Sequence, residues 1–205
     1  MDKDIVLVGG GGHCRSVIDV IEQLGLTIRG ILDLPSLVGE QIMGYDIIGS
    51  DDDIAKYAAT CRFVVTLGSI ENPARRIALH QAIEAAGGEL ATIVSPHAHV
   101  ARTATLGPGT VVLNFANVNA DAQVGASCII NTGANIEHGA SVGDFTHVST
   151  GAIVNGDVKV GARCFVGSGA IIRNGVSICD DAFIGMGAIV HRRVISTRPI
   201  LPRTR

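Results

Sequence analysis

Residues 124–142 read VGASCIINTGANIEHGASV, and an aliphatic residue recurs there at every sixth position. The same spacing runs without a slip over seventeen positions: Val94, Val100, Leu106, Val112, Val118, Val124, Ile130, Ile136, Val142, Val148, Val154, Val160, Val166, Ile172, Ile178, Ile184 and Val190. A period of six matches neither a helix, with its period of about 3.6, nor the two-residue period of a strand. It is typical of a hexapeptide solenoid, in which short strands joined by tight turns stack coil upon coil.

A small side chain stands four residues after most of these aliphatic anchors, with Val158 and Val176 as the exceptions. We therefore predict a triangular prism in which each hexapeptide forms one face, the anchor points inward and the small residue fits near a corner. Three hexapeptides close one coil, so that equivalent residues of successive coils stack about 4.8 Å apart, and about five coils fit. In one column of anchors the next residue is glycine, where we expect an unusual backbone angle: Gly107, Gly125, Gly143 and Gly161.

Composition limits the possible classes of protein. The 205 residues suffice for one or two domains, aromatic residues make up 3% and Trp is absent, which suits a narrow core of Val, Ile and Ala. The net charge of −3 gives no general nucleic-acid footprint. The five cysteines form no CxxC pair, and we interpret them as reduced packing thiols of a cytoplasmic protein. The first residues do not read as a signal peptide, and the apolar run at Ile5 is too short to span a membrane.

The first ninety residues read as a small α/β domain. The strand Ile5–Val8 is followed by four glycines, Gly9 to Gly12, then by a helix over 14–24 and a strand over 27–32 that ends at Asp33. A glycine turn at a helix N-terminus presents free N–H groups to an anion. The dinucleotide fingerprint needs glycine where Cys14 stands, so another nucleotide or phosphate ligand, a dinucleotide and a purely structural turn all remain possible. His13, at the tip of this turn, is exposed to whatever binds there.

The rest of this region alternates loops, helices and strands. We predict a loop over 35–50, helices over 51–59 and 72–86, and strands over 62–67 and 90–94, the last leading into the solenoid. The expected division is a Rossmann-like nucleotide-sugar-binding domain over 1–90 and a β-helix acyltransferase domain over 91–205.

A more specific signal lies in the segment from Asn131 to Ser149, which reads NTGANIEHGASVGDFTHVS. Together with the glycine turn before His13 and the hexapeptide repeat, this segment resembles the NeuD/PglD-type family of sugar O- and N-acetyltransferases. The resemblance covers nearly the whole chain and implies a left-handed parallel β-helix. It further implies transfer of an acetyl group from acetyl-CoA to a sugar amine or hydroxyl, with a UDP-4-amino-sugar as the expected acceptor. We also expect a homotrimer with sites between its subunits, and we expect no metal.

The resemblance also assigns roles to residues. His138 matches the general base and His147 lies by the thioester, while the backbone of Gly156, one coil above His138, is the candidate donor to the oxyanion. The remaining assignments are Gly11, His13, Asp33 and Asn131 for the sugar nucleotide, and Ser168 and Met186 for acetyl-CoA. The residues alone also favour His138 as a base, because it is the third residue of its hexapeptide and should point away from the prism, and imidazole titrates near neutrality.

The chain departs from the family pattern at three places. Gly139 stands where relatives carry an acid directly after the base; Glu137 should point the other way, and Asp144 is another possible orienting group. Leu34 replaces the second acid after the second strand. The tail is also unusual, with Arg192, Arg193, Arg198, Arg203 and Arg205 and no acid among them. We interpret it either as a solvated terminus or as a contact for the phosphates of CoA.

Three other functions compete with an N-acetyltransferase. A sialic-acid-type O-acetyltransferase shares the motif and differs in the acceptor atom. A zinc γ-carbonic anhydrase uses the same solenoid, but the HxxxxH spacing of its ligands is absent from this sequence. A non-catalytic hexapeptide scaffold is the third, and the glycine at 139 is its best support.

Overall fold

The computed structural model of the chain describes residues 3–70 and 72–202. These form two compact units, divided between Ile93 and Val94. In the described part of the chain, each helix is too short or too polar to cross a lipid bilayer.

The N-terminal unit is a six-stranded sheet with helices between its strands. The sheet has the order β3-β4-β2-β1-β5-β6 and is parallel except for the β3/β4 pair. Its elements are β1 (Asp4–Val8), α1 (Gly12–Gln23), β2 (Ile28–Leu32), β3 (Gln41–Ile42), β4 (Tyr45–Gly49), α2 (Ile54–Tyr57), β5 (Cys61–Val65), α3 (Ala74–Ala85) and β6 (Glu89–Leu90), with short 3-10 turns at Pro35–Leu37 and Asp51–Asp53. This is the Rossmann-like arrangement that the sequence predicted.

The core of this unit follows from side-chain alternation along β1. All of its residues from Ile5 to Val8 are buried, and Val6 and Val8 pack in one cluster with Leu79 and Ile83 of α3. Neighbouring residues of a strand point to opposite faces, so Ile5 and Leu7 are buried on the other side of the sheet. A strand buried on both faces needs a continuous apolar run, which is what the sequence shows there.

Two local predictions for this unit were wrong. The predicted loop over 35–50 contains the hairpin of β3 and β4, whose turn at Met43 and Gly44 has positive φ at both residues (51° and 86°), as a tight hairpin turn requires. Its edge position next to β2 is a tertiary pairing that short strands do not reveal in advance. The predicted strand over 90–94 is two strands, because β6 pairs with β5 whereas Ile93–Val94 opens the solenoid.

The C-terminal unit is a left-handed parallel β-helix, as predicted. Each of the seventeen anchors is the second residue of a two-residue strand, and these strands are β7 (Ile93–Val94), β8 (His99–Val100), β9 (Thr105–Leu106), β10 (Val111–Val112), β11 (Asn117–Val118), β12 (Gln123–Val124), β13 (Ile129–Ile130), β14 (Asn135–Ile136), β15 (Ser141–Val142), β16 (His147–Val148), β17 (Ile153–Val154), β18 (Lys159–Val160), β19 (Phe165–Val166), β20 (Ile171–Ile172), β21 (Ser177–Ile178), β22 (Phe183–Ile184) and β23 (Ile189–Val190).

The strands form three sheets, one for each side of the prism. Face one contains β7, β10, β13, β16, β19 and β22; face two contains β8, β11, β14, β17, β20 and β23; face three contains β9, β12, β15, β18 and β21. Strands pair in parallel with residues 18 positions apart, for example Val112 with Ile130. The predicted register of three hexapeptides per coil is therefore confirmed.

The interior is a single column of small and branched side chains. Anchors and the small residues between them share one buried cluster, in which Cys128 and Cys164 occupy small-residue positions. Burial raises the pKa of the Cys164 thiol to about 11, so this sulfur is a protonated packing group. No disulfide joins any of the five cysteines, and four of them are buried.

The role predicted for the glycines after the anchors was wrong. The left-handed backbone falls two residues later and is adopted there by residues other than glycine, for example Phe115 (φ 61°) and Asp157 (φ 59°). The glycines after the anchors are needed because the next coil lies too close. A Cβ on Gly107 would stand 2.4 Å from the nitrogen of Ala126. Glycine is thus needed at these positions because two backbones approach closely, and not because of an unusual φ.

The tail continues the solenoid for part of a coil. Val194 pairs with Ile178 and Ile200 with Ile184, so each lies 16 residues after its partner instead of 18. Val194 is buried in the solenoid core and Ile200 packs against it. The described part of the tail therefore covers the apolar end of the prism, which the sequence did not reveal. Arg203 and Arg205 lie outside the described residues.

Candidate active site

The imidazole of His138 lies against the backbone of Gly156 at the corner between faces two and three. A Cβ on Gly156 would stand 2.6 Å from Cε1 and 2.7 Å from Nε2 of the ring, so only glycine leaves room for it. His138 is exposed and sits on a turn, where we had expected it on a face. The residue after Gly156, Asp157, holds the two turns together, because its N–H donates to the carbonyl of His138 at 3.0 Å.

The N–H group of Gly156 is open. At equivalent turns this group is capped by a side chain: Ala120 donates to Asn119 Oδ1 at 2.7 Å, and Thr132 donates to Asn131 Oδ1 at 2.8 Å. Before Gly156, Asn155 instead donates its side-chain amide to the carbonyl of Ile172 at 2.7 Å. Among the described residues no acceptor binds the Gly156 N–H, so a backbone donor stands open beside the imidazole.

Glu137 is held next to His138, and the expectation that it points away from the site needs correction. Its carboxylate accepts one hydrogen bond from Asn135 Nδ2 and one from Asn119 Nδ2, each at 2.8 Å. Asn135 is itself fixed by Asn117, which donates to it at 2.6 Å. These bonds, together with the backbone N–H and the charge of His138, hold the pKa of Glu137 below its ordinary value. Glu137 thus holds a fixed negative charge close enough to His138 for the two charges to interact.

The other two positions considered for an orienting acid are already occupied structurally. Gly139 has φ 65°, and a Cβ there would stand 2.5 Å from Oδ1 of Asp157. The carboxylate of Asp157 therefore fills the space that a side chain at 139 would need. Asp144 lies at the corner between faces three and one, where its Oδ1 accepts the N–H of Ala126 at 2.7 Å. It is a turn cap on another corner and does not orient His138.

His147 lies on face one and is linked to Asn131. The two side chains approach at 3.1 Å between Nδ2 of Asn131 and Nε2 of His147. His147 also meets Phe165 edge to face, with the ring centroids 5.3 Å apart. Only 7% of His147 is exposed. The structure therefore makes Asn131 a direct neighbour of His147 and holds the His147 ring between Asn131 and Phe165 on this face.

Ser168 and Met186 follow each other along the corner between faces one and two. Ser168 shares a hydrogen bond with Ser149 of 2.9 Å between the hydroxyl oxygens, and Met186 is 72% exposed. Beside them runs a strip of glycines with φ between 63° and 65° and open space where each Cβ would be: Gly133, Gly151, Gly169 and Gly187. Non-glycine residues such as Asp157 adopt the same left-handed backbone at other corners of the solenoid. The four glycines therefore leave this corner without side chains at that turn position.

The glycine turn of the N-terminal unit lies at the carboxyl end of β1, between β2 and β5. In open α/β sheets, ligands bind in such a crevice, where the connections leave in opposite directions. A Cβ on Gly9 would collide with Leu67, and a Cβ on Gly10 would collide with Ile42. A Cβ on Gly11 or Gly12 would meet no atom within 4 Å. The open half of the turn is thus where a ligand could approach the start of α1.

Asp33 and His13 border this turn in ways that the sequence did not reveal. The Asp33 carboxylate accepts the N–H of Gly10 at 2.7 Å and that of Leu34 at 2.8 Å, so it holds the turn in place. His13 is a half-buried residue in the first turn of α1, with its Cβ 4.0 Å from a Cβ built on Gly68, and does not stand at the tip. Cys14 is buried, and burial raises its pKa to about 11.

Sequence reasoning missed the asparagines that surround the proposed base. Asn119 and Asn135 hold Glu137, and Asn174 stands 3.2 Å from a Cβ built on Gly156. Counting 18 residues along the repeat found Gly156 from His138; the same count back from Glu137 reaches Asn119, and on from Gly156 it reaches Asn174. Over residues 3–70 and 72–202, no three His, Cys, Asp or Glu side chains are grouped to hold a metal ion.

Comparisons with known proteins agree with this architecture. Residues 4–82 match the PglD N-terminal domain, and residues 157–192 match the hexapeptide repeat of succinyl-transferase. The chain is 30% identical over 123 residues to an uncharacterized protein of Acanthamoeba polyphaga mimivirus, a match that covers 59% of this chain and only 23% of that protein.

Solved structures match almost the whole chain. PerB from Caulobacter crescentus, in complex with CoA and GDP-perosamine, is 30% identical with a TM-score of 0.88, over 97% of this chain and 93% of that one. The acetyltransferase domain of PglB from Neisseria gonorrhoeae is 26% identical with a TM-score of 0.89, over 98% of this chain and 97% of that one. The chain therefore belongs to the NeuD/PglD-type family of acyl-CoA-dependent sugar acetyltransferases.

Proposed function

We propose that this protein transfers the acetyl group of acetyl-CoA to an amine of a nucleotide-linked amino sugar, with His138 as the general base. The observation that carries the proposal is the imidazole of His138 lying against Gly156, whose N–H is open. A base and an oxyanion donor are then in contact at an exposed corner. Both are what acyl transfer to an amine needs.

The reaction follows from these two groups. The amine nitrogen attacks the thioester carbon, His138 accepts the proton that the nitrogen loses, and the Gly156 N–H donates to the oxyanion that forms. When the intermediate collapses, the C–S bond breaks and the proton passes to the sulfur of CoA. Glu137 stabilises the imidazolium through its fixed negative charge. No covalent intermediate is needed, and much of the rate comes from holding the two substrates in the correct geometry.

The smooth corner between faces one and two supports binding of acetyl-CoA. The glycine strip leaves room for an extended chain along the solenoid, and Ser168 and Met186 offer one polar and one apolar contact beside it. This is the arrangement expected for a pantetheine arm, which has amide groups and a hydrocarbon chain. PerB and PglB were each solved with CoA or acetyl-CoA bound, and we extend that ligand to this chain.

We assign the nucleotide of the acceptor to the N-terminal unit. Gly11 and Gly12 leave space at the start of α1, where N–H groups and the helix dipole favour a phosphate. His13 borders the same crevice, and Asp33 keeps the turn in the binding conformation. We expect a UDP-4-amino-sugar as the acceptor. PerB was solved with GDP-perosamine, so a GDP-linked sugar is the second acceptor to compare.

We further propose a homotrimer whose sites are shared between copies. His147 lies on face one, whereas His138 lies at the corner between faces two and three. The whole of face two therefore separates them within one chain. If both contact the same acetyl-CoA, His147 must come from a neighbouring copy.

The first test is kinetic and uses variants of His138 and Gly156. His138→Ala should lower kcat by about 10²–10⁴-fold with both KM values little changed, because the base acts in the transition state. Gly156→Ala should lower kcat as well, since its methyl group would displace the imidazole. Acetyl-CoA turnover is measured with UDP-amino sugars and GDP-perosamine, and thermal unfolding of each variant is recorded.

His99→Ala is the matched control, because His99 is also an exposed solenoid histidine but lies in the first coil. It should retain wild-type turnover. Near-normal kcat for His138→Ala on a sugar that the wild-type enzyme acetylates would contradict the mechanism. Absence of wild-type turnover on every amino sugar, while the same sugars are acetylated by PerB, would contradict the proposed activity and favour a scaffold.

The second test concerns the N-terminal unit. His13→Ala should raise the KM for the sugar nucleotide by about tenfold, the usual effect of losing one hydrogen bond to a charged group, and leave the KM for acetyl-CoA unchanged. His80→Ala is unsuitable as a control because His80 is fully buried in α3. His97→Ala, a change outside this unit, serves instead. An unchanged sugar KM for His13→Ala would show that the turn is only structural.

A further inference from the structure

The proposed base and the residue after it interlock with two residues of the coil above. His138 and Gly139 lie in one coil, and Gly156 and Asp157 follow 18 residues later in the next. The imidazole of His138 reaches up to Gly156, where a Cβ would stand 2.7 Å from Nε2. The carboxylate of Asp157 reaches down to Gly139, where a Cβ would stand 2.5 Å from Oδ1. Each side chain therefore fills the space that a glycine leaves open in the opposite coil.

The two side chains are neighbours in the gap between these coils. They start from successive positions of the turn, whose Cα atoms are about 3.8 Å apart. One side chain crosses the gap upward and the other downward, so both occupy it side by side. The backbone fixes this arrangement, because the N–H of Asp157 donates to the carbonyl of His138 at 3.0 Å. An acid thus stands next to the base although position 139 has none.

The Asp157 carboxylate has no other partner. Within the described part of the chain it forms neither an ion pair nor a side-chain hydrogen bond. Other acids at corners of the solenoid are engaged, since Asp144 accepts the N–H of Ala126 and Asp181 pairs with Arg163. Both oxygens of Asp157 are therefore available to a donor.

The backbone at this position would suit glycine better. Asp157 has φ 59°, whereas Gly139 one coil below and Gly175 one coil above have φ 65° and 68°. Aspartate tolerates the left-handed conformation better than most residues, but still with some strain. A carboxylate stands here although the solenoid itself does not require one.

We infer that Asp157 is a positioning residue for the base, an inference that rests on the acetyl transfer proposed above. When His138 accepts the proton of the amine, one ring N–H of the imidazolium donates to the Asp157 carboxylate, which holds the ring and stabilises its charge. Such bonds are often long in the free enzyme and shorten when the substrates bind. The acid that directly follows the base in relatives is thus replaced by one from the next coil.

Glu137 and Asp157 then have different roles. The oxygens of Glu137 are already held by the amides of Asn119 and Asn135, so this residue supplies charge from a fixed place. Asp157 has free oxygens and supplies the hydrogen bond that orients the ring. Gly139 is needed because a side chain there would displace the Asp157 carboxylate.

The first measurement is the pH dependence of turnover by Asp157→Asn, an isosteric change that the left-handed backbone also tolerates. The kcat should fall about 10–100-fold, as expected for the loss of a hydrogen bond to a charged group, with both KM values little changed. The acid limb of the kcat profile should move to lower pH, because the imidazolium loses a stabilising anion. The other charged groups on the turn of the base and on the coils next to it are Glu137, Asp121 and Lys159, and all remain in place.

Asp121→Asn is the matched control. Asp121 lies at the same corner two coils below Asp157, and it has the same φ of 59°. This variant should keep the wild-type kcat and pH profile.

A second set of variants moves the acid to the position that it has in relatives. Asp157→Gly should lose activity as Asp157→Asn does. Adding Gly139→Asp should restore part of it, because glycine at 157 clears the space and the turn accepts aspartate at this φ. Asp157→Gly with Gly139→Asn, the neutral isostere, should not recover. Equal recovery by both double variants would show that the side chain only fills space, and would overturn the inference.

Titration of the His138 ring protons, followed by NMR, needs no turnover, and His138→Ala identifies the signal. Its midpoint should move to lower pH in Asp157→Asn and stay in place in Asp121→Asn. An unchanged midpoint or a wild-type kcat in Asp157→Asn would overturn the inference, and so would an equal effect of Asp121→Asn. The expected NMR shift in a protein that acetylates no sugar would uphold the pairing of Asp157 with His138 and refute the proposed function instead.

Discussion

Glu137 is the residue whose environment differs most from what its position suggested. Directly before the proposed base, it was expected to point away, yet two asparagine amides and a backbone N–H fix its carboxylate beside His138. Three donors favour the ionised form, which is why its pKa lies below the ordinary value. A charge held by hydrogen bonds costs no reorganisation when the imidazolium forms. We propose that this carboxylate supplies at the base the charge that Gly139 cannot.

Glu137→Gln should destabilise the protein at neutral pH by about 1 kcal/mol or less, because a partly exposed carboxylate loses its charge-assisted bonds. Since the folded-state pKa is depressed, the stabilisation is present above the ordinary glutamate pKa and disappears as pH falls through the folded value. The melting temperatures of wild type and variant should thus differ at pH 7 and converge in acid. Glu84→Gln, on the exposed side of α3, is the control and should show no such convergence. A difference that stays constant from pH 7 into acid, with no convergence, would mean that charge is irrelevant at this site.

The solenoid uses glycine for two different physical reasons. Glycines directly after an anchor make room for the backbone of the next coil, as at Gly143, where a Cβ would stand 2.5 Å from the nitrogen of Ala162. Glycines two residues later adopt a left-handed backbone in open space, as at Gly151. The first kind holds the coils at their stacking distance. The second kind shapes the surface.

These two kinds of glycine should respond differently to alanine. Gly143→Ala should destabilise the solenoid by about 3 kcal/mol or more, because neither backbone can move without breaking the parallel ladder. Gly151→Ala should cost only about 1 kcal/mol, the strain of a left-handed non-glycine residue. Thermal unfolding followed by circular dichroism compares them directly. Equal losses of stability in the two variants would refute the distinction.

At the scale of the whole molecule, one chain could not complete a site that used both His138 and His147, as we propose. His138 and His147 are held on different sides of a rigid prism, and the parallel ladder leaves no hinge between them. A flexible enzyme could bring two such groups together by moving a loop. A solenoid can do so only by placing a second copy against the first.

Mixing experiments should reveal the shared site. His138→Ala and His147→Ala chains, each with little activity alone, should regain part of the wild-type turnover when they are co-expressed, because a mixed trimer contains some interfaces with both histidines intact. Light scattering should give the mass of three chains. A stable monomer with full activity would refute the trimer, and a mixture no more active than its components would refute the shared site.

The sequence determined the solenoid because its rule is local and repeats seventeen times. An anchor every six residues allows only one register, so the pairing of coils and the column that joins His138 to Gly156 could be calculated by counting. Tertiary structure decided the features that depend on the next coil or on a neighbouring strand. Glycine is required at 107 because the backbone of the next coil is close, and the side chain of Asp157 fills the space beside Gly139. Val194 and Ile200 pair with the last coil and cap the prism. Those features arise from the thickness of a coil and the direction of side chains in three dimensions, which a one-dimensional period does not contain.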